Sequence, residues 1–98
     1  MTEADRIAEF ANVNHELAEL VVIGATRGGS SVKALRGPSQ TRDLVELRRW
    51  IIARARARVD FDGRPLFSFP AIGRALNRDH TTIMHHDRHL KSQGRNPS

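Results

Sequence analysis

Five consecutive positions, Arg78-Asp79-His80-Thr81-Thr82, hold a cation, a carboxylate, an imidazole and two hydroxyl-methyl side chains. A hydrophobic core needs none of these, and each has a role against a nucleic acid. An imidazole donates to or accepts from a base, a threonine methyl packs on a thymine methyl, and a carboxylate accepts from cytosine N4. An arginine and a hydroxyl grip phosphates. Asp79, His80 and Thr81 are therefore the candidate base contacts, flanked by Arg78 and Thr82 as candidate phosphate contacts. Other chemistry finds less support. His85 and His89 stand at i, i+4 and His86 and His89 at i, i+3, but zinc needs further ligands and only Asp87 or His15 offers one. No nucleophile has an adjacent base, and Gly28-Gly29 has no strand before it to make a phosphate cradle. The expectation is a protein that is not an enzyme and has no metal and no cofactor.

The elements that must position these residues are two short helices. Ser68 is a good N-cap, Pro70 is tolerated in a first turn, and Ile72, Ala75 and Leu76 form a core face. Asn77 to Asp79 is a tight break. A final helix then runs from about His80 to Ser92, capped by Asp79, with Ile83 and Leu90 buried and Lys91 suited to its C-terminal end. Gly94 stops it, leaving a frayed tail. Two helices joined by so short a turn make a helix-turn-helix, whose second helix is poised for the major groove of duplex DNA.

The run SFPAIGRALNRDHTTIMHHDRHLK resembles the C-terminal DNA-binding domain of the bacterial replication initiator DnaA. The hallmark there is Ile-Gly, a short spacer, then Gly-Arg-Asp-His-Thr-Thr-Val. Ser68, Pro70, Ile72, Gly73, Arg78 through Ile83, and His85 stand in matching places. A weaker likeness at Ile7-Ala8-Glu9-Phe10 and Ala18-Glu19-Leu20 extends it over most of residues 5 to 91. The resemblance implies base reading by Asp79, His80 and Thr81 and phosphate contacts by Arg78 and Thr82. It also implies a basic loop that places an arginine in the adjacent minor groove, for which Arg36 and Arg42 both qualify. Three departures stand out: RGPSQTR replaces the usual Arg-Pro-Arg-Gln, Asn77 replaces glycine, and the connector VDFDGRPLF is longer. No G-x-x-x-x-G-K-[ST] is present, so the chain is either a free-standing DNA-binding protein or a fragment. Its opening at Met1 with an acidic helix of its own favours the free-standing form.

The rest of the chain supplies packing and charge. Ile7, Phe10 and Ala11 make one helical stripe after an N-cap at Thr2, and Leu17, Leu20 and Val21 make a second after Asn14. Residues 24–38 contain four glycines, two serines and a proline, which predicts a loop. Its cations Arg27, Lys33 and Arg36 are either minor-groove or loop contacts to DNA or incidental charge on a solvated linker. The longest helix runs from about Thr41 to Arg58 on Leu44, Leu47, Trp50 and Ile51, with Ser39 or Thr41 as cap. Its alternating ARARAR end reads as helix carrying solvated arginines. Arg42 and Ser68, at the starts of two helices, are further candidate phosphate contacts. Asp62-Gly63 and Pro65 make residues 59–67 a connector.

The 98 residues make one domain, with an expected extent of 1–93 and a disordered tail over 94–98. Residues 1–23 set one arginine against five acids, a net −4, whereas residues 24–98 set 15 Lys and Arg against six acids, a net +9. A basic body draws polyanions, and the acidic first helices offer a site for a protein partner. Without cysteine, an apolar leader or a membrane-length apolar run, the expected setting is cytoplasmic, on the nucleoid. The expected fold is all-α, a bundle of about five helices with a C-terminal helix-turn-helix, like the DnaA C-terminal domain and the Trp repressor. The expected function is sequence-specific binding of double-stranded DNA in replication or transcription regulation. The alternative is a protein-interaction module, or a competitor of the initiator that docks a partner instead of reading DNA.

Overall fold

Five of the six helices among the described residues begin where a short polar side chain takes up a free backbone N–H group. The structure, a computed structural model, describes residues 1–93. In α1 (Glu3–Ala11) the Thr2 hydroxyl accepts from the Asp5 amide at 3.1 Å and the Asp5 carboxylate accepts from the Thr2 amide at 3.0 Å. Asn14 caps α2 (His15–Arg27) and Ser31 caps α3 (Val32–Arg36). Thr41 precedes α4 (Arg42–Ala57) without a side-chain cap bond. Ser68 and Asp79 cap α5 (Phe69–Leu76) and α6 (His80–Ser92). No strand forms among the described residues; Val59 and Pro65 make an isolated bridge in the α4–α5 connector.

The core is one cluster built from every helix. Leu17 and Val21 of α2, Leu35 of α3, Ile51 and Ile52 of α4, Ile72 and Leu76 of α5, and Ile83 of α6 are fully buried. The all-α bundle matches expectation, but six helices form instead of about five, because residues 24–38 are mostly helical. Gly24 does not break α2. A Cβ there would lie 2.6 Å from Ile51 Cδ1, so the glycine lets α2 and α4 approach closely. α2 ends at Gly28 and Gly29 instead, the latter at φ 66, and Val32 and Leu35 then seat α3 in the core.

Several side chains on the expected core stripes are not fully buried, Ala11, Leu47 and Trp50 among them at half-burial. Phe10 is 81% exposed, its place on the α1 stripe taken by Ala4 and Ile7. Leu20 is half-buried beside fully buried Leu17 and Val21. Leu90 is half-buried too, one turn beyond the buried Asp87, whose carboxylate pairs with Lys91 at 3.1 Å. The ARARAR arginines brace the fold: Arg54 stacks on Trp50, Arg56 donates to the Phe67 carbonyl, and Arg58 pairs with Glu16. The stop expected at Gly94 and the tail 94–98 lie outside the described residues.

Candidate nucleic-acid interface

The corner between α5 and α6 is set by two residues. Asn77 takes the left-handed conformation, φ 56 and ψ 47, with which a helix commonly turns out of its last turn. Its short polar side chain tolerates a region most residues avoid. The Arg78 amide then donates to the Gly73 carbonyl at 2.7 Å, closing the turn. A Cβ on Gly73 would sit 2.5 Å from the Arg78 carbonyl oxygen, so only glycine lets the two helices approach this closely. Asn77 thus performs the turn that a glycine would, and its side-chain amide donates to the Arg36 carbonyl at 3.0 Å.

The start of α6 follows. Asp79 Oδ1 accepts from the Thr81 amide at 2.7 Å and lies 3.4 Å from His80 Nδ1. The Thr81 hydrogen bonds, with His80 adding a smaller effect, hold the Asp79 carboxyl below its usual pKa. The side chains of Asp79 and His80 are 69% and 56% exposed; Thr81 is exposed and Thr82 half-exposed. None of the four enters the core. Ile83, one position on, is fully buried and fixes the rotation of α6 that turns them outward. The result is a fixed helix N-terminus offering a carboxylate, an imidazole and two hydroxyls to solvent.

Arg78 is half-buried, and its guanidinium donates to the carbonyls of Asn77 and Gly37. The Gly37 carbonyl also accepts from Arg48, whose long charged side chain is buried at 2% exposure. Arg48 Nε donates to Leu35 O at 2.9 Å, and its Nη2 donates to Ala34 O and Gly37 O, each at 3.2 Å. Burial, then the nearby Arg78 charge, lowers the Arg48 pKa. Arg36 crosses the other way, its Nε donating to Ala75 O at 2.9 Å and its Nη2 to Arg74 O at 3.2 Å. The guanidinium groups of Arg36 and Arg78 and the Asn77 amide therefore tie the end of α3 to the α5–α6 corner, and Arg48 ties the same end to α4. Carbonyls left free where helices end are otherwise an uncompensated cost in a partly buried setting. Sequence reasoning missed Arg48; a lone arginine among the α4 core positions was the available signal.

The remaining candidates divide. The clasp keeps the Gly37 end of α3 at the α6 start, four residues before Thr41 and the exposed Arg42, whose Nε is 3.8 Å from Glu46. Lys33 is exposed on α3. Arg36, by contrast, is held by the α5 carbonyls and stands over the Phe10 ring, 5.6 Å from its centroid. Arg27 ends α2 over the Trp50 ring at 5.0 Å, with Arg54 also on that ring at 4.9 Å. Ser68 is exposed but its hydroxyl accepts from the Ala71 amide at 3.2 Å. Among the histidines, His86 Nδ1 accepts from Arg49 Nε at 3.1 Å. Burial first, then the charges of Arg49, Arg48, His89 and Arg78, hold the His86 pKa below its usual value. His15 sits between Asp5 and Glu19, its ring nitrogens 2.7 and 3.1 Å from their carboxylates. No cluster of three or more potential metal ligands forms among the described residues.

Fold and corner together define a small all-helical protein whose last two helices form a helix-turn-helix with a polar, exposed second-helix start. Across curated proteins, the chain is similar to the chromosomal replication initiator protein DnaA of Mycobacteroides abscessus, with 29% identity over 89 residues. That match covers 91% of this chain and 17% of the relative, so the chain spans about a sixth of that protein's length and is DnaA-like along nearly all of its own. No protein-family model matches the chain. No solved structure matches it. Among the described residues, no helix is long and apolar enough to cross a membrane.

Proposed function

We propose that the chain binds double-stranded DNA sequence-specifically by laying the start of α6 in the major groove, as a regulator of replication or transcription. The observation that carries this reading is the outward-facing turn Asp79–Thr82 on a helix whose rotation is fixed by buried Ile83. In this reading His80 and Thr81 read base edges. Asp79 divides its carboxylate, because the cap bond and the His80 contact both use Oδ1. Thr82 and Arg42 contact phosphates, with Ser68 at the start of α5 as a further contact. Arg78 adds positive field and also holds the corner. Lys33 is the free cation of α3 for the flanking backbone, whereas Arg36 would have to leave two carbonyls to enter a groove. Arg27 would likewise have to leave Trp50. No cofactor or metal is part of this reading, and no enzymatic step is assigned. Similarity to a replication initiator supports the DNA partner and a nucleoid setting in the cytoplasm. Selection of bound duplexes from a random pool tests the proposal: a single enriched motif is expected, and recovery of the starting pool would overturn it.

A further inference from the structure

The bonds between the end of α3 and the α5–α6 corner run in both directions. Arg36 Nε donates to Ala75 O and its Nη2 to Arg74 O, while Asn77 Nδ2 donates back to Arg36 O. Arg74 and Ala75 are among the last four residues of α5, whose carbonyls have no partner one turn on within the helix. The turn itself does not need the Asn77 side chain. Backbone bonds close it, from the Asn77 amide to Arg74 O at 3.3 Å and from the Arg78 amide to Gly73 O at 2.7 Å. Glycine adopts a φ of 56 as readily. The Asn77 amide is therefore surplus to the turn and serves α3 instead.

α3 depends on such bonds. A helix of five residues does not hold itself together by propensity, and its buried side chains are Val32 and Leu35. Arg48 holds its end to α4, so Arg36 and Asn77, together with Arg78, govern how that end is set against the corner. Lys33 stands one turn before Arg36 and is exposed, and the two line one hollow with Phe10 and Asn77. Asn77 in turn is two residues from Asp79, the cap of α6. The Arg36 guanidinium is enclosed between the α5 carbonyls and the Phe10 ring of α1, while Lys33 faces solvent. We propose that Arg36 and Asn77 are positioning residues for duplex binding. Arg36 acts as a hydrogen-bond donor to α5 and not as a charge on the DNA, and with Asn77 it fixes the distance between Lys33 and the start of α6. This rests on the reading of DNA by α6: that turn meets base edges with the α3 cation already placed for the flanking backbone.

Binding of the full chain as a function of salt, to a duplex carrying the motif enriched from a random pool, tests this. Gln Nε2 stands as many bonds from Cα as Arg Nε, so Arg36→Gln keeps a donor for Ala75 O and loses the charge; Arg36→Met loses both. Arg36→Met is expected to weaken binding by roughly tenfold and Arg36→Gln to recover most of that, each with the log-log salt slope of wild type. Lys33→Ala, which removes a phosphate contact, should reduce the slope by about 0.9. Asn77→Gly keeps the turn. Lys33→Ala made on that background should cost less affinity than it does in wild type, because Lys33 is already out of place. A loss of stability alone moves neither the salt slope nor the coupling to Lys33. An Arg36→Gln slope reduced by about 0.9 would make Arg36 a phosphate contact and overturn the proposal, as would a Lys33→Ala loss equal in both backgrounds. Either result leaves the reading by α6 standing. A pool that yields no motif removes that reading, and the role of Arg36 and Asn77 with it.

Discussion

At the scale of single residues, the arginines fall into those consumed by the fold and those left to solvent. Arg48 has lost most of its water and satisfies three carbonyls at the end of α3. Arg48→Met keeps the volume but strands those acceptors, and is expected to cost roughly 2–4 kcal/mol of stability by denaturant titration. His86 makes the molecule sensitive to mild acid. Its folded pKa lies below the unfolded value of about 6.5, so in that window the unfolded chain binds more protons than the native one. Stability is therefore full above about pH 6.5 and falls as the pH drops toward the folded value. Protonation at Nδ1 also displaces the Arg49 donor. His86→Gln should flatten stability between pH 5 and 7; an unchanged slope would assign the effect to another group. The polar turn at the start of α6 stood out in the sequence because its five members are consecutive and each is chemically out of place in a core. The clasp was not, because Arg78 and Gly37 are 41 positions apart and Arg48 and Gly37 are 11 apart. Arg36 likewise read as a free loop cation because nothing local announces the α5 carbonyls it serves.

At the scale of elements, spacing located α1, α2, α4, α5 and α6 and named most of their caps, since capping and apolar periodicity are local signals. It failed between residues 24 and 38, where glycine was read as a breaker. Gly24 is a contact surface for Ile51, and α3 has only five residues, too few for a periodic pattern to emerge among its glycine and serine neighbours. The helix-turn-helix corner is the element most sensitive to substitution. Gly73→Ala would place a methyl 2.5 Å from the Arg78 carbonyl oxygen. Backbone on both sides must then shift, and a loss of about 1–3 kcal/mol should appear as a lower thermal midpoint together with weaker DNA binding. A Gly73→Ala protein that kept both would mean that the two helices are not held this closely.

At the scale of the molecule, charge is divided between acidic α1 and α2 and a basic remainder. In the acidic part Glu16 pairs with Arg58 just past α4 and His15 contacts Asp5 and Glu19, while Arg42, Lys33, Thr82 and the start of α6 remain open. Neutralising about five phosphates gives a log-log salt slope near −4.5, measurable by titrating duplex binding from low to moderate salt. A slope near zero would mean that no phosphates are neutralised, against duplex binding by a basic surface. The most direct measurement compares wild type with His80→Ala across one randomised duplex library at fixed salt. The variant is expected to lose about 1–3 kcal/mol of discrimination at one or two positions while its binding to unrelated duplexes stays the same. Relative affinities unchanged across the library would contradict base reading by α6.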